Sequence, residues 1–411
     1  MTDVLGHIPR QRTVEREIVL HGRPAPMTYK SPRRATHYMP HRYDINGLIT
    51  IGSEVPLKEL EYFRAPSVAS GYDLEVRVGH VSGKARRRTI VRTYADPVAV
   101  HYAEHLGKLG ANFEVRIGDT VEVTVSPLLA RSPHVVYTNV IEALLRFLFV
   151  SQGRMLLHSA CVELDGVGVV LSARTDTGKT GTVLRLVGEL GAKFLSDDMT
   201  IIDEKGTAWA FPKPLTISQH TLRAINVDEL APREWRRLKL QGRLHSKEGR
   251  KVGLALGERN LPIMGLNALT QLLVPPPKYP VDRLVPAEIT PTTHIDHIFI
   301  IERGDAALHH VTKDRALTEL IENTDDAYNF PPFRYFAPAL SIGEQNYEQL
   351  RTREREILAG TLSGRRVRRL VCDDFSWATS IPLLLHKTSV ATSAVPALIA
   401  VDGVHRAVPT A

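Results

Sequence analysis

The stretch Ala173-Arg174-Thr175-Asp176-Thr177-Gly178-Lys179-Thr180 decides how this chain is read. It follows the phosphate-binding pattern G-x-x-x-x-G-K-[ST] at every fixed position but the first, where Ala173 stands in place of glycine. Such a loop curls successive backbone N–H groups around a phosphate. In that role Lys179 reaches the β/γ-phosphates and the Thr180 hydroxyl sits on Mg2+. Ala173, Arg174, Thr175, Asp176, Thr177, Gly178, Lys179 and Thr180 are therefore the candidate nucleotide-binding segment. A solvated lysine at an ordinary strand–turn–helix joint would give the same three final letters. Asp176 is discordant, because a carboxylate in the loop opposes phosphate unless it points outward or meets metal or substrate.

The flanks carry more weight than the letters. Gly168-Val169-Val170-Leu171-Ser172 is an apolar strand that delivers the chain into the loop. Behind it, Val183, Leu184, Leu186, Val187 and Leu190 give a helix its buried face, and Gly191 is placed to end it. A helix that starts at the loop adds its positive end toward an anion. Upstream, Met155 to Glu163 reads as one continuous strand that carries His158, and Asp165-Gly166 turns it into the strand before the loop. A lone histidine among Leu156 and Leu157 has an ordinary alternative as a satisfied core residue. Downstream, Ala192-Lys193-Phe194-Leu195 reads as a short strand that ends at Ser196-Asp197-Asp198. Paired carboxylates there suit Mg2+ on one side chain and an acceptor hydroxyl on the other, with a turn or helix cap as the plain alternative.

Further out, the chain organises in blocks. Residues 1–45 show no period and read as an irregular arm. Residues 46–135 read as a β-rich domain, with alternation in Asp73 to Val78, Phe113 to Ile117 and Thr120 to Val125. The loop lies in a domain spanning about 136–345, opened by a helix from Pro133 to Ser151, and 346–411 reads as a C-terminal helix and tail. The Met199–Asp203 and Thr207–Phe211 stretches read as a hairpin, and His297 to Ile301 as a buried strand.

Composition sets limits. With 411 residues, 43% hydrophobic and 24% charged, the chain has the make-up of a soluble globular protein of two domains. The net charge of +7 is modest for this length. The runs Arg86-Arg87-Arg88 and Arg365 to Arg369 lack interleaved aromatics and read as solvated faces, so no nucleic-acid partner is expected. Two cysteines, Cys161 and Cys372, fit a reducing cytoplasm rather than a disulfide scaffold. The apolar run from Val140 to Val150 is too short to span a bilayer, and no membrane partner is expected. Gly79 to Ala85 mimics a phosphate loop with the wrong spacing, and His294, Asp296 and His297 are as well explained by a loop as by a metal.

Together, Leu157-His158-Ser159-Ala160, the Asp165-Gly166 hairpin, Gly178-Lys179-Thr180, Gly191-Ala192, Leu195-Ser196-Asp197-Asp198 and Phe211-Pro212-Lys213-Pro214-Leu215 resemble the core of the HPr kinase/phosphorylase family. That resemblance is good over about residues 140–220 and thin beyond. It implies an α+β / α/β protein, with a β-rich N-terminal domain followed by a P-loop kinase domain of the phosphoenolpyruvate carboxykinase-like type. It also implies an ATP- and Mg2+-dependent kinase that phosphorylates a hydroxyl of a peptide, protein or small molecule. The catalytic set carried over is Asp197, Asp198, His158 and Lys179, with Thr180 and Asp197 on the metal. Members of the family assemble, so a homo-oligomer is part of the same expectation. The family's E-x-R-G-x-G signature is absent; Glu302-Arg303-Gly304-Asp305 is a fragment in the wrong place, which argues against HPr as acceptor. A nucleotide-binding regulatory module with a decayed site, and a carboxykinase-like enzyme acting on an oxyacid, are the alternatives.

Overall fold

Alternating apolar and polar residues build one sheet of this protein, and continuous apolar runs build another. The computed structural model describes residues 39–67, 71–81, 90–95, 98–104, 110–174, 177–217, 262–273, 275, 278–328, 330–373 and 376–386. Thr175, Asp176, most of the N-terminal arm, the Arg86–Arg88 run and the C-terminal tail lie outside these residues. Strands are numbered along the chain, and helices of ten residues or more are labelled α1–α6. The described residues form a mixed α/β fold in two compact units, one drawn from 1–152, 239–276 and 328–352, the other from 153–238, 277–327 and 353–411.

The first unit holds a seven-stranded sheet in the order β1-β2-β3-β7-β6-β5-β4. Its members are β1 (His41–Ile45), β2 (Ile49–Ser53), β3 (Leu74–Val78), β4 (Ile90–Ala95), β5 (Val98–Ala103), β6 (Phe113–Ile117) and β7 (Val121–Val125). In β7 every second residue, Val121, Val123 and Val125, is buried, as a one-sided sheet requires. Strand β1 lies inside the stretch read from sequence as irregular. Tyr43 and Ile45 bury one face, and Asn46 and Gly47, both at positive φ, close the hairpin to β2.

Helix α1 (Pro133–Ser151) runs for 19 residues through a π-helical stretch at Tyr137–Ile141. Its apolar stretch is thus longer than the sequence reading allowed. Burial, not shortness, marks it as a core helix: 78% of its most apolar window is covered by protein. Arg146 is buried within it, its guanidinium 4.6 Å from the Tyr328 ring centre. The same unit holds α3 (Ile263–Leu273) and the two-residue strands β18 (Ser341–Ile342) and β19 (Gln345–Asn346).

The second unit carries the loop. Its nine-stranded sheet runs β11-β9-β10-β16-β13-β12-β8, with β20 beside β16 and β17 beside β20. These are β8 (Arg154–Leu157), β9 (Ala160–Leu164), β10 (Val167–Ser172), β11 (Lys193–Ser196), β12 (Thr200–Asp203), β13 (Thr207–Trp209), β16 (Thr292–Arg303), β17 (Ala307–His310) and β20 (Arg366–Cys372). Two-residue strands β14 (Leu215–Thr216) and β15 (Lys278–Tyr279) pair separately. The remaining helices are α2 (Lys179–Leu190), α4 (Lys313–Ala327), α5 (Tyr347–Leu362), which enters this unit at Arg353, and α6 (Trp377–His386). One apolar cluster joins Leu171, Val183, Leu184, Val187, Phe194, Phe299 and Trp377 across sheet and helices. Each such side chain, fully buried, contributes about 1.5–3 kcal/mol.

Two sequence readings change here. Met155 to Glu163 is two strands, not one: β8 pairs with β12 and β9 with β10, so the chain breaks at His158–Ser159. Arg365 to Arg369 is no solvated face, because Arg366–Cys372 is a strand inside the sheet, paired with both β16 and β17. Val367 and Leu370 are buried, while Arg369 meets the Glu319 carboxylate and Arg368 donates to the Leu384 carbonyl.

Candidate active site

Strand directions gather the candidate residues at one edge of the sheet. β9 is antiparallel to both β10 and β11, so β10 and β11 run the same way, and β16 is parallel to β10. The loop after β10, the aspartates after β11 and Arg303 at the end of β16 therefore leave the sheet on the same side. His158 joins them because Ala160, at the start of β9, stands opposite Leu171 near the end of β10.

Gly178 opens α2 with φ 133°, a left-handed conformation that glycine alone adopts without cost. Its carbonyl accepts both the N–H and the hydroxyl of Thr182 at 3.0 Å, which fixes the first helical turn. Ala173 is not at positive φ and is packed in the apolar cluster, so its backbone does not require glycine. Arg174 is exposed, and its carbonyl accepts the Thr177 hydroxyl at 2.7 Å. Arg303 Nε donates to the Thr177 carbonyl at 2.7 Å. The fragment that looked misplaced in sequence thus delivers an arginine to the loop. Gly191, at φ 70°, ends α2 as the sequence required.

Thr180 Oγ1 donates to Asp197 Oδ2 at 2.8 Å. Among the described residues, the other oxygen, Asp197 Oδ1, is buried with no hydrogen-bond partner, and so is Lys179 Nζ. Burial pushes the Asp197 carboxyl up to about 6, against the pull of Lys179 and the Thr180 hydroxyl. Burial also lowers Lys179, with both aspartates opposing. A buried carboxylate oxygen and a buried ammonium without partners each cost free energy unless a ligand completes them.

Asp198 faces differently. Its side chain is half exposed, with Oδ2 2.7 Å from Lys213 Nζ and Oδ1 3.6 Å from His158 Nε2. Desolvation raises this carboxyl, but the charges of Lys213, the larger, and Lys179 outweigh it and hold Asp198 below the usual carboxylate range. His158 is buried, and its Nδ1–H donates to the Asn323 carbonyl at 2.9 Å. The backbone N–H of His158 meets Thr324 Oγ1 at 3.2 Å. Burial, with Lys179 nearby, lowers His158 to about 4, so at neutral pH the ring is uncharged and Nε2 turns a lone pair toward Asp198.

The structure thus brings together Lys179, Thr180, Asp197, Asp198 and His158, with Arg174, Thr177 and Gly178 in the loop beside them. The imidazole of His294 meets the Arg365 guanidinium, while the Asp296 carboxylate accepts the Gly168 N–H, so these two are engaged separately. Four contributors were not assigned from sequence: Lys213, Arg303, Asn323 and Thr324. Lys213 stood inside the quoted Phe211–Leu215 stretch with no role attached to it. A search of protein-family models finds no match to this chain, and a search of curated proteins finds none either.

Proposed function

We propose that this protein is an ATP-dependent phosphotransferase that moves a phosphoryl group to a hydroxyl of a peptide, protein or small-molecule acceptor. The observation that carries the reading is the pairing of two buried, unpartnered polar atoms, Lys179 Nζ and Asp197 Oδ1, at a helix start that follows a glycine with left-handed backbone. An anion against the lysine and a cation against the carboxylate would complete both.

Thr180 and Asp197 are the residues that would hold Mg2+, a cation that commonly takes one or two protein oxygens and fills its shell with phosphate and water. Mg2+-ATP supplies the transferable group and the charge neutralisation that phosphoryl transfer needs. Lys179 and the loop N–H groups bind and orient phosphate. Asp198, kept ionised by Lys213, accepts the proton of the acceptor hydroxyl, while the uncharged His158 ring stands on its other side, 3.6 Å away, with no proton on Nε2 to give it. The buried free cysteines Cys161 and Cys372 support a reducing, cytoplasmic setting.

The test is phosphate transfer from labelled ATP to a panel of peptides, sugars and nucleosides. With an acceptor in hand, Asp198→Asn is expected to lose at least about a hundredfold in turnover while ATP affinity holds within a few-fold. An Asp198→Asn protein that transfers phosphate at the wild-type rate would contradict the assignment.

A further inference from the structure

The chain crosses between two strand groups of the second sheet twice at the site. Residues 158–159 lead from β8 to β9, and residues 197–199 lead from β11 to β12. Where the crossings meet, three hydroxyls converge. Thr200 Oγ1 lies 2.7 Å from Ser196 Oγ and 2.9 Å from Ser159 Oγ. It is also 3.2 Å from the Ser159 carbonyl. All three residues have no solvent exposure.

The hydrogens can be assigned without remainder. Thr200 O–H donates to the Ser159 carbonyl, and the Ser159 and Ser196 hydroxyls donate to the two lone pairs of Thr200 Oγ1. A buried network satisfied in this way specifies one arrangement. Its members are sequence neighbours of the chemistry. Ser159 follows His158, Ser196 precedes Asp197, and Thr200 stands two residues after Asp198. Filling the space would not need a hydroxyl, since valine has nearly the shape of threonine and suits the first position of a strand.

We propose that Thr200 is a positioning residue for phosphoryl transfer: its hydroxyl, tied to Ser159 and Ser196, sets His158 in register with Asp197 and Asp198. The inference rests on the phosphotransferase reading for its kinetic effect. Its structural content, one crossing held to the other, does not depend on it.

The decisive variants are Thr200→Val and Thr200→Ser. A displacement near 1 Å at reacting groups costs about a hundredfold. Thr200→Val is therefore expected to lower kcat by about 10- to 100-fold and to leave Mg2+-ATP affinity within about threefold, with Thr200→Ser restoring most of the loss. Wild-type kcat in Thr200→Val, or a loss that Thr200→Ser does not restore, overturns the proposal. If Thr200→Val does not fold, Ser196→Ala removes one arm of the network, and an unchanged kcat there overturns it equally. A second readout needs no activity: the His158 ring signals in 15N-histidine NMR spectra shift in Thr200→Val if the crossings are tied, and an unchanged spectrum rejects the tie. If the wild-type protein transfers no phosphate to any acceptor, the phosphotransferase reading fails, and the ring signals alone judge the tie.

Discussion

Thr180 Oγ1 donates a hydrogen bond to Asp197 Oδ2 at 2.8 Å, which joins the first turn of α2 to the residue that follows β11. The bond links two of the places where the chain leaves the sheet on its loop side. It also leaves the second oxygen of Asp197 buried and without a partner among the described residues.

Thr180→Val removes this donor and one oxygen available to Mg2+. The expected result is a rise of about 10- to 100-fold in the Mg2+ concentration needed for half-maximal nucleotide binding, with Thr180→Ser close to wild type. Equal Mg2+ dependence in Thr180→Val and wild type would remove Thr180 from the metal.

Lys213 is the cation closest to Asp198, at 2.7 Å. Lys213→Met keeps the aliphatic stem and removes the charge. Turnover is expected to fall by roughly tenfold or more, since an orienting partner of the proposed base is gone, while ATP affinity changes little. Steady-state kinetics beside equilibrium nucleotide binding separates the two effects. A loss confined to ATP affinity would place Lys213 on the nucleotide instead.

His158 links stability to pH. Its folded value, about 4, lies below the ordinary 6.5, so the unfolded chain binds the proton more readily. The contribution is fully present above pH 6.5 and is lost as pH falls toward 4, by up to about 3 kcal/mol. Urea unfolding at pH 7.5, 6, 5 and 4.5 measures it. The expected signature is a slope over this window that His158→Gln flattens, and an identical slope in both proteins would show that the burial of His158 carries no such linkage.

Cys161 and Cys372 are both buried, and burial raises the Cys161 thiol well above its ordinary value. A thiolate-directed reagent is therefore expected to leave the native protein unlabelled and to count two thiols only after unfolding. Rapid labelling of Cys161 in the native state would contradict its place in β9.

Local features of the second unit were legible in the sequence because they are local in cause. The apolar run before Ala173, the helical spacing from Val183 to Leu190, the stop at Gly191 and the turn at Asp165-Gly166 each follow from neighbours a few residues away. The break at His158–Ser159 was not legible. Leu156-Leu157 and Ala160-Cys161-Val162 are apolar on both sides of it, so periodicity gives no mark. The break exists because β8 and β9 pair with different strands. Arg365 to Arg369 misled for a related reason: an arginine-rich strand shows its burial only when Glu319 and the Leu384 carbonyl come from elsewhere in the chain. Lys213 and Arg303 reach the candidate site from turns and strand ends whose approach depends on the assembled sheet. Their residue types alone carry no signal of it.

The central claim is that the loop around Lys179 holds the phosphates of Mg2+-ATP. Isothermal titration of Mg2+-ATP into the wild-type protein and into Lys179→Ala tests it most directly. The account expects saturable one-site binding to the wild type, weakened at least about tenfold in Lys179→Ala. Absence of binding to the wild type, or equal affinity in the two proteins, would contradict it.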